Sequence, residues 1–299
     1  MASDLPLVSV LMNCYNGEKY LRPALDSVLA QKYQNWELIF WDNRSTDGSA
    51  AICNSYGDSR IRYFFAEEHT ELGAARILAF QKIRGDFVAI LDADDVSHPD
   101  RLTRQVAFLK QNPEVALVAS WVQYIDEHGI AFTQLKPSAN QDELKDCLGW
   151  SNPIAHSSTM YRHRLAREVG GYAPALIYAS DFGLVLALAQ HFRIAIIDEF
   201  LCQVRVLPSS MSRSKQYQAV AAREVLTLLQ RAADSLPLST KSRRLNRRAQ
   251  AIARIKLGIF RLSDGSVLPG LKMILHALLT EPSALWRNGR VRRFFGKPS

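Results

Sequence analysis

Over the first hundred residues the apolar positions switch repeatedly between strand-like runs and helical spacing. LVSVLMNCYN (7–16) is a β-rich apolar run that stops at the turn pair Asn16-Gly17. EKYLRPALDSVLAQK (18–32) then sets Leu21, Ala24, Leu25, Val28 and Leu29 at helical spacing. WELIFW (36–41) predicts a second buried strand. STDGSAAICNSYG (45–57) predicts a helix opening on capping residues, and IRYFFA (61–66) a third strand. GAARILAFQKIRG (73–85) predicts a helix ending at Gly85, and DFVAILDA (86–93) a fourth strand. The connections are too long for hairpins. The pattern is therefore α/β, a mostly parallel sheet covered by helices, in which ligands gather at the carboxyl ends of the strands.

From 100 to about 212 the pattern loosens. PDRLTRQVAFLKQN (99–112) predicts a helix, VALVASWVQYI (115–125) a strand, ASDFGLVLALAQHF (179–192) a helix and IAIIDEFLCQVRV (194–206) one or two strands. After LPSSMS the composition shifts: 215–235 and 241–262 predict Arg-rich helices, LPGLKMILHALL (268–279) an apolar one, and RNGRVRRFFGK (287–297) a basic, aromatic end. No internal repeat or low-complexity segment stands out.

Charge sharpens that boundary. The net +8 divides into −6 for residues 1–212 (19 Lys+Arg, 25 Asp+Glu) and +14 for residues 213–299 (18 against 4). An acidic body with a basic tail suggests a tail that meets something anionic. At 299 residues, 47% hydrophobic and 22% charged, the chain holds one large domain with a substantial core plus an appendage. Cys14, Cys53, Cys147 and Cys202 are scattered with no CxxC pair, which favours reduced thiols in a cytosolic setting. The first residues lack a signal pattern, and no apolar run approaches the roughly 20 residues needed to span a bilayer.

Two acidic clusters sit at predicted strand ends: WDNRSTDGS (41–49) after the second strand, and LDADD (91–95) after the fourth. A sheet of this kind brings both to one rim. Asp92, Asp94 and Asp95 crowd three carboxylates into four positions, and like charges that close repel. A charged loop that also caps the next helix is the plain explanation. The alternative is a bound cation that reverses the local electrostatics.

VSVLMNCYNGEKYLRPALDSVLAQ, WDNRSTDGS, GAAR, LDADDVSHPDRL, NPIAHSSTMYRH, VGGY and ASDFGLVLAL, in this order and spacing, resemble the family 2 glycosyltransferases. The resemblance covers roughly residues 6–212. It implies a GT-A fold with a Rossmann-like central sheet: a catalytic domain of 1–212, with nucleotide-sugar binding in about 1–100 and the acceptor part in about 101–212. A basic helical C-terminal region, 213–299, follows without a family assignment.

The resemblance further implies sugar transfer, with inversion, from a nucleotide-sugar to an acceptor hydroxyl in cell-surface polysaccharide, lipopolysaccharide or glycolipid biosynthesis. A UDP- or dTDP-sugar is the first choice of donor. A divalent cation, Mn²⁺ or Mg²⁺, would bridge the two phosphates and stabilise charge on the leaving oxygen. Asp94 is the implied metal ligand, Asp92 lies near the ribose or the metal's water shell, and Asp95 faces the acceptor or sugar or instead orients its neighbours. Asn13, Tyr15, Asn16, Asp42 and Asn43 would line the nucleotide pocket; Asp-Asn stands where the motif often reads Asp-Asp. Ser45 and Asp47 are capping residues in the same turn. Arg76 either reaches the nucleotide or a diphosphate oxygen, or is a surface helical arginine. Asp181, in ASDFG, occupies the general-base position, with Ser180 where the family carries Glu; an aspartate opening a helix also suits the macrodipole without any catalytic role. His156 faces the acceptor or sugar, or is a satisfied structural histidine. Ser157 and Ser158 are structural. Leu207 stands where many relatives carry a histidine that contributes to the metal or diphosphate site.

For the tail, three partners compete: an anionic membrane surface reached by the basic helices, the catalytic body or another copy, and, as the weakest fit, a nucleic acid. A lipid-linked acceptor would place the protein in the cytoplasm, peripheral on the inner face of the membrane. Two other classes remain: a non-catalytic nucleotide-sugar-binding or scaffold protein of the same fold, motivated by Leu207 and Ser180, and a nucleotidyltransferase, for which NCYNGEKY is a poor Gly-rich loop.

Overall fold

Buried strands of a two-sided sheet are apolar on both faces, and the two most continuous apolar runs near the N-terminus form its centre. β1 (Val8–Cys14) and β2 (Trp36–Asp42) are buried almost without interruption. β1 pairs in parallel with β2 and with β4 (Phe87–Ile90), and β2 in parallel with β3 (Ile61–Phe65). The crossovers are α1 (Glu18–Leu29), α2 (Ser49–Asn54) and α3 (Leu72–Phe80). The structure, a computed structural model, describes residues 5–207 and 215–284.

Among the described residues the sheet has nine strands in the order β3-β2-β1-β4-β8-β6-β9-β5, with β7 paired to β6. Beyond β4 it becomes mixed. β5 (Val96–Ser97), β6 (Val115–Ile125), β7 (Ala131–Leu135), β8 (Met160–Arg162) and β9 (Arg193–Arg205) supply this half. β8 runs antiparallel between β4 and β6, while β6 and β9 are parallel to each other. The helices here are α4 (Arg101–Gln111), α5 (Gln141–Leu148), α6 (His163–Glu168) and α7 (Ser180–His191). The core gathers β1, β2, β4, α1 and α4 around Met12, Leu25, Phe40, Leu91 and Leu109.

α3 ends at Phe80, five residues before the Gly85 anticipated from sequence. Tertiary contacts outcompete its last turn. Glu37 Oε1 accepts from the main-chain N–H of Arg84 at 3.0 Å, and Ser9 Oγ from that of Gly85 at 2.9 Å. A Cβ at Gly85 would lie 2.7 Å from Leu7 O, so glycine is required for this close approach.

The chain divides into two units: Met1–Leu144 with Pro153–Pro208, and Lys145–Asn152 with Ser209–Ser299. In the second, α8 (Lys215–Ser235), α9 (Thr240–Ser263) and α10 (Val267–Thr280) form a helical assembly. Ser239 caps α9, its Oγ accepting from Ser242 N at 3.1 Å. Buried Asn246 donates to the carbonyls of Gly149 and Leu229. α9 and α10 meet through small residues: a Cβ at Gly258 would stand 2.5 Å from Ile274 and 2.8 Å from the Gly270 carbonyl. Among the described residues no helix is long and apolar enough to cross a membrane.

Candidate active site

Register fixes the rim. Cys14 pairs with Asp42 across β1 and β2, and Leu11 with Ile90 across β1 and β4, so the acidic ends of β2 and β4 leave the sheet on either side of β1. The β1–α1 turn closes towards the second cluster, since a Cβ at Gly17 would lie 3.7 Å from Ala93. The two clusters therefore share one sheet edge.

At the β2 end most polar groups serve one another. Asp42 is buried, with Oδ1 accepting from Ser45 N at 2.7 Å and Oδ2 from the Tyr63 hydroxyl at 2.8 Å. Asn43 is buried too: its Nδ2 donates to Thr70 O at 2.7 Å and its Oδ1 accepts from Thr70 Oγ1 at 3.1 Å, which ties the β3–α3 connection to the rim. Asn16, at φ +52°, accepts from Thr46 N at 2.8 Å. Asp47 accepts from Glu18 N and Ser49 N, both at 3.0 Å, a capping role at two helix starts. Some groups here are left without partners among the described residues. Asn13 Nδ2 and Trp41 Nε1 are buried without a hydrogen-bond partner, a costly state for a donor. Tyr15 is half exposed, its ring 4.2 Å from that of His69.

The β4 end separates the three crowded carboxylates. Asp95 is buried and accepts from the main-chain N–H of Arg205 at 2.7 Å. Burial and the neighbouring Asp94 and Asp92 charges push its carboxyl well above the usual range. The fully buried Arg101 supplies a nearby positive charge while donating to Ile90 O at 2.8 Å and Thr159 O at 2.9 Å. Asp92 Oδ1 lies 3.9 Å from Arg76 Nη2, and its N–H donates to Ser157 Oγ at 3.1 Å. Asp94 is left without an ion-pair partner among the described residues, because Arg205 directs its Nε to the Asp94 main-chain oxygen at 3.0 Å. Burial and Asp92 push the Asp94 carboxyl up to about 6.

The third element at this edge is the start of α7. Arg76 is buried and donates from Nη1 to Ser180 Oγ at 2.8 Å, so it is no surface arginine. Close backbone packing carries it there. A Cβ at Gly73, one turn earlier in α3, would fall 2.0 Å from Leu176 O. Asp181 opens α7. Burial raises its carboxyl above the usual range, opposed by Arg76 and by its hydrogen bond to the Phe182 backbone, and Asp92 adds to the rise. His156 sits on a single 3₁₀ turn, its Nε2 3.2 Å from the Tyr172 hydroxyl. Burial, with the charges of Arg76 and Arg101, holds its imidazole well below the usual pKa, so it is neutral.

The structure thus brings Arg76, Asp92, Ser180 and Asp181 into one electrostatic group, with Asp94 beside it. Asp42 and Asn43 hold the adjoining turn. Leu207 follows β9, and the rest of LPSSMS lies outside the described residues. Two arginines play parts that the sequence patterns do not mark. Arg101, fully buried, donates to the carbonyls of Ile90 and Thr159 and to the Gln105 side chain. Arg205 binds both Asp94 and Asp95 through main-chain atoms, donates to Asp126 O at 2.8 Å and stands 4.6 Å over the Tyr20 ring. Their position within DRL and RVL was the available signal.

A divalent cation fits this donor set. The Asp92 and Asp94 carboxylates at the end of β4 are hard oxygen ligands suited to Mg²⁺ or Mn²⁺, and Asp94 has no ion-pair partner among the described residues. Among the described residues no group of three or more His, Cys, Asp or Glu could hold a metal ion.

A mixed α/β sheet, parallel from β3 to β4, with carboxylates at a strand-end rim defines a ligand-binding class of fold. Comparison narrows it. Residues 9–170, more than half of the chain, match the glycosyl transferase family 2 model, and the protein belongs to that family. A Methanocaldococcus jannaschii protein described as an uncharacterized glycosyltransferase is 32% identical over 209 residues, 68% of this chain and 72% of its own. EpsE of Bacillus subtilis, named as a glycosyltransferase, is 34% identical over 170 residues, 56% of this chain and 60% of its own. TuaG of the same organism, named for teichuronic acid biosynthesis, is 38% identical over 113 residues, 37% of this chain and 45% of its own. The chain thus spans about half the length of the latter two. Among solved structures, S. aureus TarS 1-349 in complex with UDP-GlcNAc superposes with a TM-score of 0.66 at 19% identity, covering 96% of this chain and 83% of that one. The mannosyltransferase PcManGT of Pyrobaculum calidifontis, in complex with GDP-Man and Mn²⁺, gives 0.61 at 18%, covering 98% and 84%. At these identities the likeness shows the fold, a GT-A-like glycosyltransferase fold.

Proposed function

We propose that the protein transfers a glycosyl group, with inversion, from a nucleoside-diphosphate sugar to an acceptor hydroxyl in the synthesis of a cell-surface polysaccharide, lipopolysaccharide or glycolipid. The observation that carries this reading is Asp181 at the start of α7, joined through Arg76 and Ser180 to the Asp92 carboxylate of the DxD rim. The named biosynthetic role of TuaG and the nucleotide-sugars bound by TarS and PcManGT support it.

In this reading Asn13, Tyr15 and Asn16 receive the nucleoside, and Asp42 and Asn43 hold the turn that shapes its pocket. Asp92 and Arg76 face the ribose and diphosphate. Asp94 is the ligand for a bound Mn²⁺ or Mg²⁺, which would supply charge neutralisation at the leaving diphosphate. Asp181 accepts the proton of the acceptor hydroxyl as that oxygen bonds to the anomeric carbon and the bond from that carbon to the phosphate oxygen breaks. A carboxyl raised above its ordinary range is the stronger base for that step. His156, neutral, and Asp95 stand behind these groups and orient them. The donor is a UDP- or dTDP-sugar and the acceptor a saccharide, free or lipid-linked. A lipid-linked acceptor puts the reaction on the cytoplasmic face of a membrane.

The test is nucleoside diphosphate release from UDP-, dTDP- and GDP-sugars, with and without Mn²⁺. Turnover on at least one donor, lost in Asp181→Asn, is expected. A folded protein that binds nucleotide yet turns over no donor would favour the scaffold reading motivated by Ser180 and Leu207.

A further inference from the structure

α10 is assembled the opposite way from an ordinary surface helix. Its inward face is small, with Gly270, Ile274 and Ala277 buried. Its outward face carries Leu268, Leu271, Leu275 and Leu279, exposed by 72, 50, 58 and 75%. These leucines recur at intervals of three, four and four residues, which places them on one stripe. An exposed apolar stripe of this length on a helix marks a surface that meets a partner or lipid. At 14 residues α10 is too short to span a bilayer, which needs roughly 20.

Charge decides among the possible occupants. α9 and α10 together contain nine Lys and Arg and no Asp or Glu. Arg261 and Lys272, exposed, lie just before the stripe and within it, and residues 213–299 carry a net +14. Two copies paired symmetrically through this face would set one strongly basic unit against another, which Coulomb repulsion opposes. A nucleic acid would meet the charge but leave four leucines in water. An anionic bilayer answers both features, taking leucines into the acyl boundary and cations among the headgroups.

We propose that the outward face of α10 docks the protein on an anionic membrane surface, the helix lying in the interface with Arg261 and Lys272 at headgroup level. This deepens the proposed function by naming where its acceptor is met. Vesicle binding is read without donor or acceptor, so its failure is separable from failure of the transfer reaction.

The experiment is co-sedimentation of the full chain with phosphatidylcholine vesicles and with vesicles containing about a third phosphatidylglycerol. Binding to the anionic vesicles only, weakened by salt, is expected. Leu271→Gln with Leu275→Gln should weaken it at least about tenfold while leaving helical circular dichroism and donor turnover unchanged. Arg261→Glu with Lys272→Glu provides a second route to the same loss through charge alone. The proposal is overturned if the wild-type chain ignores anionic vesicles, or if neither double variant alters binding. It is equally overturned if the leucine substitutions dissociate an oligomer that does not bind vesicles.

Discussion

The two units treat charge and apolar surface in opposite ways. The first, from a net-acidic stretch of sequence, buries Asp42, Asp95, Arg76 and Arg101 and gives each a specific partner, leaving Asp94 without an ion-pair partner among the described residues. The second leaves most of the cations of α9 exposed and turns leucines outwards. A buried charge needs a fixed counterpart, so the first unit is specified by individual contacts. An exposed basic, apolar face is specified by amount and periodicity. A chemical site requires the first kind of order, and a docking surface tolerates the second.

Substitutions can break this contrast at either end. The largest effect should come from Asp181→Asn, which should lower turnover by about 10²- to 10⁴-fold while nucleotide binding, measured by calorimetry, persists. Parallel loss of binding would mean Asp181 holds the donor instead. Next is Arg101→Met, which leaves the carbonyls of Ile90 and Thr159 and the Gln105 side chain without their buried donor. Urea unfolding followed by tryptophan fluorescence should show a loss of about 2–4 kcal/mol in the first unit. A near-neutral result would show that water replaces the guanidinium at these carbonyls. Gly258→Leu should force α9 and α10 apart and cost about 1–3 kcal/mol in a far-UV melt, with donor turnover unchanged.

The smallest effect concerns pH. The Asp94 carboxyl is raised in the folded protein, so the native state holds its proton more tightly than the unfolded chain does. Its contribution to stability is therefore complete below the ordinary carboxylate pKa, about 4, and is lost as pH rises through about 6. A cation bound at the ionised carboxylate offsets that loss. Added Mn²⁺ should raise the melting temperature by about 2–4 °C at pH 7.5 and less at pH 5, where a proton must first be displaced. Equal shifts at both pH values, or in Asp94→Asn, would remove Asp94 from the metal site.

Elements with their own periodicity were legible without coordinates. β1, β2, β3, β6 and the helices α1, α4, α7, α8 and α9 all lie where the apolar spacing puts them. Others were not. β8 has three residues and β5 two, too few to show a period, and each exists because a neighbouring strand supplies its hydrogen bonds. β7 is largely exposed and pairs only with β6, so it carries little apolar signal. β9 is one strand of 13 residues where the sequence left one or two open.

At the rim, the sequence by itself determined which chemistry is present: carboxylates at the ends of β2 and β4, and an aspartate opening α7. Which carboxylate is satisfied and which remains free was settled only in three dimensions. Arg76 reaches Ser180 across 104 residues of chain, and Asp95 reaches Arg205 across 110. Pairings of that span leave no local period, because they depend on how strands register within the sheet and how closely α3 packs against the segment before α7. The same holds for α10, whose leucines are a helical pattern in sequence and an outward face only once Gly258 and Gly270 have brought its small side against α9.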